Sequence, residues 1–194
     1  MEILLALIIL LIIFYIVNRY RSKNITYVKS NIDGKTYLVR DTKDKQEGAD
    51  RLAHIKKRCD ELVRHIKDKD ELYSQEHFQL LVKRYENKGT EFSEKDKISN
   101  YTSFTENKGD KIVFCMRQRN KNEELIDINT MMFVAIHEMA HIMTKDIGHN
   151  KNYWNNFRDL LQVSVDIGIY KSEDYKATPK TYCGMKITSN PLLK

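Results

Sequence analysis

The chain opens on an unbroken apolar run. Residues 3–17 carry no polar group except the hydroxyl of Tyr15. As a helix rising 1.5 Å per residue, that run covers about 22 Å. Counting on to Tyr20, with Arg19 reaching back to the interface, brings it close to the roughly 30 Å hydrocarbon core of a bilayer. The run begins Met1-Glu2 rather than with a basic segment, and no small-residue cleavage site follows it. The pattern therefore predicts an uncleaved transmembrane anchor over residues 1–22 rather than a signal peptide. Arg19, Arg21, Lys23 and Lys29 follow the run while Glu2 precedes it. That asymmetry predicts a single-pass membrane protein, its N-terminus outside or lumenal and its body cytoplasmic.

Beyond the run the pattern becomes periodic. Residues 23–45 read as a basic linker and a hairpin, two β-rich stretches around Asp33-Gly34. Leu52, Ile55, Cys59, Leu62 and Ile66 recur at helical spacing and predict a helix over residues 45–67. Phe78, Leu81 and Val82 mark a second over about 75–85. Residues 88–100 read as a polar loop. A second hairpin follows: YTSFT, the turn Asn107-Lys108-Gly109-Asp110, and the apolar stretch KIVFCMRQR. From Met131 to Met143 the helix is apolar nearly all round, as in a buried helix, with Asp127 or Asn129 as its N-cap. The last helix, residues 153–166, turns Trp154, Phe157, Leu160, Leu161 and Val165 inward and packs on it. These elements predict an α+β domain with a small antiparallel sheet over residues 46–194.

Composition narrows the partners. A chain that is 31% charged with 2 prolines is one modest domain, not a low-complexity array. Its net charge of +6 is spread along the sequence. Nucleic acid or anionic lipid would suit it, but a solvated lysine-rich surface explains it as well, and nucleic acid is not favoured. Cys59, Cys115 and Cys183 are odd in number, widely spaced and without a CxxC. They predict a reducing compartment with no disulfide framework, and Cys59 and Cys115 as packing residues.

The chemistry lies inside the buried helix. His137 and His141 are four apart, so they share one helical face and can grip one metal ion. Glu138 stands between them where it reaches a water molecule without binding the metal. That is the HExxH arrangement of zinc metallopeptidases, with glutamate as general base. Polar groups in a buried helix need partners, and Zn2+ supplies one. Gly148 permits a chain reversal that brings His149 back as a third ligand, leaving the open fourth position typical of catalytic zinc. Asp159, Asp166 and Glu173 are the rival third ligands. Tyr182 or Tyr153 can stabilise an oxyanion, and Tyr182-Cys183-Gly184-Met185 can form a turn beneath the metal.

The stretches HEMAHIM and IGHNKNYWNNFRDLL resemble the WLM metallopeptidases, relatives of the SprT-like group. The shared pattern is an HExxH helix, a short turn, a third histidine and an aromatic pair, here Tyr153-Trp154, opening the next helix. The tail GIYKSEDYKATPKTYCGMKITSNP is similar to WLM-like proteins of large DNA viruses. The likeness covers about residues 100–190, and seven residues separate His141 from His149, more than in the commoner spacings. The resemblance implies a zincin-like metallopeptidase fold, protein substrates and a substrate-pairing edge strand, for which residues 112–117 are the candidate. The resulting expectation is a membrane-anchored zinc metallopeptidase. Its rival is a non-catalytic, anchored recruitment protein with a structural zinc.

Overall fold

A computed structural model describes residues 2–22 and 24–193, and within the first helix the side chains of residues 4–18. The elements run α1 (Glu2–Ser22), β1 (Ile25–Lys29), β2 (Thr36–Arg40), α2 (Lys45–Asp68), α3 (Asp70–Tyr73) and α4 (Glu76–Lys88). They continue β3 (Glu91–Glu94), β4 (Phe104–Glu106), β5 (Lys111–Phe114), α5 (Ile128–Met143), α6 (Lys151–Asp166), β6 (Lys180–Tyr182) and β7 (Met185–Ile187).

The N-terminal expectation is corrected first. No helix among the described residues is long and apolar enough to cross a membrane. The apolar run of residues 3–17 covers about 22 Å as helix, against the roughly 30 Å of a hydrocarbon core. Arg19, Tyr20, Arg21 and Lys23, on which the length and orientation of the span rested, lie outside the residues whose side chains are described. The transmembrane helix and the single-pass topology are therefore not supported. Within residues 4–18 every side chain is exposed.

The fold is mixed α/β, with a five-stranded sheet in the order β1-β2-β3-β5-β4. It is not the small antiparallel sheet expected, because β3 pairs in parallel with both β2 and β5. Sequence reading leaves residues 88–100 as a loop because β3, Glu-Phe-Ser-Glu, looks polar. Its last glutamate is the reason it can be central. Glu94 is buried, and it accepts from the Arg117 guanidinium at 2.9 Å and from the Arg40 backbone N–H at 2.7 Å. Asp44 takes a second nitrogen of Arg117 at 2.7 Å, so the buried charges are paired. The β1–β2 hairpin joins this sheet through β2, with Leu38 opposite Ser93.

The helices cover the sheet. α2 buries Leu52, Ile55, Cys59, Leu62 and Ile66, and α4 buries Phe78, Leu81 and Val82. α5 runs between them and α6, apolar on almost every side because almost every side is covered. β5 lies between β3 and β4, so residues 112–117 are not a free edge. An inner strand and a half-covered edge carry the same apolar run, which the sequence cannot separate. The outer edge on this side is β4.

The tail forms its own two-stranded sheet, β6-β7, apart from the main sheet. Cys183 and Gly184 make its turn at φ +51° and +81°, the left-handed pair that a two-residue hairpin turn demands. Tyr182 and Cys183 of this turn are buried while Met185 is exposed, and Tyr182 and Met185 both line the cleft described below. A disulfide joins Cys115, just past β5, to Cys183, with 6.0 Å between their Cα atoms. The expectation of three cysteines without a disulfide is corrected here. Cys59 alone is free, and buried.

Candidate metal centre

The site begins at a helix cap. Asp127 precedes α5, and its carboxylate accepts from the backbone N–H of Thr130 at 2.9 Å and from the Thr130 hydroxyl at 2.7 Å. Burial alone would raise the Asp127 pKa, but these hydrogen bonds outweigh it and hold the carboxyl below its ordinary value. At the other end two cations reach the helix's last carbonyls. Arg84 donates to Ile142 O at 2.7 Å, and Lys108 donates to Thr144 O at 3.0 Å and His141 O at 3.3 Å. Cations at a helix C-terminus satisfy orphan carbonyls and oppose the helix dipole. The helix that carries the chemistry is thus fixed at both ends.

The chain turns after α5. Gly148 has φ +84° and open space where a Cβ would stand, so glycine is needed there for its backbone and not for room. Asn150 then caps α6 by accepting from Tyr153 N–H at 2.9 Å. His149, between reversal and cap, returns to α5. Its Nε2 lies 3.2 Å from His137 Nε2 and 3.1 Å from His141 Nε2. One nitrogen from each of the three histidines converges on a common point. Burial and the neighbouring imidazoles push His137 down to about 3 and His141 to about 4, so both are neutral at neutral pH. Three imidazole nitrogens that converge on one point are a donor set for a metal ion such as zinc.

Asp159, Asp166 and Glu173 are elsewhere. Asp159 lies near His77 and Arg158, Asp166 accepts from Gln162, and Glu173 accepts from Asn129 and faces Lys180. Tyr153 is the floor of the site. Its ring stacks on His141 at 4.4 Å between centroids and meets His137 and His149 edge-on at 5.3 and 4.6 Å. Its hydroxyl donates to His137 O at 3.2 Å, turned away from any substrate.

Glu138 points to the other side of the triad. It is buried, and one carboxylate oxygen accepts from the Thr105 hydroxyl of β4 at 2.9 Å. Burial raises its pKa to about 7, with the Thr105 bond pulling the other way. Tyr182 comes from β6, and its hydroxyl pairs with that of Ser103, which accepts from the Cys115 N–H at 3.1 Å. Triad, Glu138, Thr105, Ser103 and Tyr182 all line one open cleft of about 760 Å³. Thr105 and Ser103 have no signal in the sequence. Only their long-range hydrogen bonds, Thr105 to Glu138 and Ser103 to Tyr182, place them at the site.

A histidine triad with an adjacent buried carboxylate, in a cleft bounded by an edge strand, defines a metal-site α/β protein of metallopeptidase-like layout. The chain belongs to the WLM family: the WLM domain matches residues 81–191. An uncharacterized protein of Acanthamoeba polyphaga mimivirus is 33% identical over 193 residues, covering 98% of this chain and 96% of that protein. An uncharacterized protein of Invertebrate iridescent virus 3 is 33% identical over 88 residues, 45% of this chain and 53% of the other. A third, of Invertebrate iridescent virus 6, is 32% identical over 82 residues, 42% and 44% of the two chains. Its relatives thus include proteins of large DNA viruses. No solved structure matches the chain.

Proposed function

We propose that this protein is a zinc-dependent metallopeptidase that hydrolyses peptide bonds of protein substrates. His137, His141 and His149 hold the zinc. Zinc in such a site acidifies water and polarises a carbonyl. The chain's own groups do the rest. A substrate backbone adds to β4, the outer edge of the sheet on the cleft side, by strand pairing. Glu138 takes the proton of the attacking water as the new C–O bond forms, then gives it to the leaving amine as the C–N bond breaks. Thr105 holds the carboxylate in place for both transfers. Tyr182, rather than Tyr153, donates its hydroxyl to the developing oxyanion, because it lines the cleft and Tyr153 does not.

The observation that carries this reading is Glu138: a carboxylate only 3% exposed, beside the converged triad, with no cation paired to it among the described residues and the Thr105 hydroxyl as its partner. A structural metal site has no use for such a costly buried group. The test is Glu138→Gln. Metal binding should persist while turnover of an unfolded protein substrate falls by about 10²–10⁴-fold. Undiminished turnover would remove Glu138 from the reaction. A metal-bound wild type that cleaves no protein would favour a binding module instead.

A further inference from the structure

The two sides of the cleft differ in chemistry. Toward β4 it is polar, with Thr102, Thr105, Asn107 and Lys108. Away from β4 its wall is mostly apolar, with Lys186, Thr188 and Ser189 of the tail as its polar members. Phe133 and Val134 stand one helical turn before His137 and Glu138, and Phe157 and Trp154 come from α6. Met185 and Ile187 face them from the tail hairpin. The wall is contiguous with the triad: Phe157 lies 5.3 Å from His137 and 5.2 Å from Phe133 between ring centroids, and Trp154 lies 5.8 Å from His149. Trp154 keeps 43% of its surface exposed and Met185 55%. Large apolar side chains held open to solvent, beside a site for peptide chemistry, want an apolar partner.

Resting on the peptidase reading, we infer that this wall selects the substrate: it takes a large apolar or aromatic side chain of the residue adjoining the scissile bond. With the substrate backbone along β4, alternate side chains leave the strand on opposite faces, so one of them must turn toward α5 and the tail. Lys186 of the tail is the charged side chain on this side of the cleft, so an acidic residue is the rival occupant that the apolar wall must outweigh. An aromatic side chain would fill the space between α5 and the hairpin and cover Phe133, Trp154 and Ile187 together.

The experiment uses Trp154, the chain's single tryptophan, as its own reporter. Metal-stripped full-length protein is titrated with tryptophan-free, end-blocked hexapeptides that differ only in a central Phe, Ala or Asp. The Phe peptide should change the emission and bind at least about tenfold more tightly than the Asp peptide. Ile187→Lys, and Met185→Lys as the variant at an exposed position, should lower that ratio. In parallel, cleavage sites of the zinc-loaded wild type in a denatured protein mixture should carry a large apolar residue at one position beside the cut. Equal binding of the three peptides, or a ratio unmoved by both variants, overturns the inference. So does cleavage without apolar preference, although the peptidase reading then stands. Tight Phe-selective binding with no cleavage of any protein overturns the peptidase reading and leaves the wall as a recognition surface.

Discussion

Thr105 of β4 donates its hydroxyl to the Glu138 carboxylate of α5 at 2.9 Å, and the same hydroxyl lies 3.2 Å from the Glu138 carbonyl oxygen. The outer strand and the buried Glu138 carboxylate are therefore joined, and a shift of β4 reaches the carboxylate directly.

That bond also sets a proton affinity. It stabilises the charged carboxylate and opposes the burial that lifts Glu138 to about 7. Removing it leaves burial unopposed and raises the pKa further. Thr105→Val should therefore move the acid limb of the pH–activity profile upward by about one pH unit, the worth of one hydrogen bond to a charged group. The limb is read from kcat/KM against pH. A profile that keeps its acid limb while activity falls uniformly would reduce Thr105 to a packing role.

Metal affinity should discriminate among the four residues that competed for the third position. His149→Ala should weaken zinc binding by more than the roughly 10–100-fold that loss of an outer hydrogen-bond partner costs. Asp159→Ala, Asp166→Ala and Glu173→Ala should bind as wild type. Competition against a chromophoric chelator measures all four, with circular dichroism as the control for folding.

The disulfide spans a sequence separation of 68. In the chain-entropy account, closing a loop of that size stabilises the fold by about 4 kcal/mol. Cys183→Ser and chemically reduced wild type should thus shift to lower urea midpoints by the same amount. Oxidised and reduced wild type with coincident unfolding curves would show that the bond does not form in solution.

The cap of α5 yields a pH-dependent term. Asp127→Ala should cost about 1 kcal/mol at neutral pH. Because the folded-state pKa of Asp127 is depressed, its contribution is present above the ordinary aspartate value of about 3.9 and is lost as pH falls through the lower folded value. The gap between variant and wild type in urea should narrow over that acid range and stay constant above it.

What the sequence disclosed follows from the range of the forces involved. The pairing of His137 with His141, the caps, the hairpins and the reversal at Gly148 are local, set by helical period and backbone φ, and they are written in neighbouring letters. β3 was hidden because the partners that let Glu94 be buried, Arg40 and Arg117, are remote in sequence. The same is true of Thr105 against Glu138, and of Ser103 against Tyr182. The cysteines misled for a related reason: an odd count and wide spacing say nothing about which two sulfurs the fold brings together. In α1 the apolar letters run for residues 3–17 only, and no helix among the described residues is long and apolar enough to cross a membrane.

The Cys115–Cys183 bond has one more consequence. Between those two residues the polypeptide is a closed covalent circle, and α5, α6 and all three histidines lie on it. On that circle, beside the cleft, Ile147 is 91% exposed. Such a site is where a protease would nick the chain. A single nick there opens the circle without parting the molecule. Both fragments stay tethered, His149 stays on the fragment bonded to Cys115, and the damage is invisible on a gel until a reductant is added.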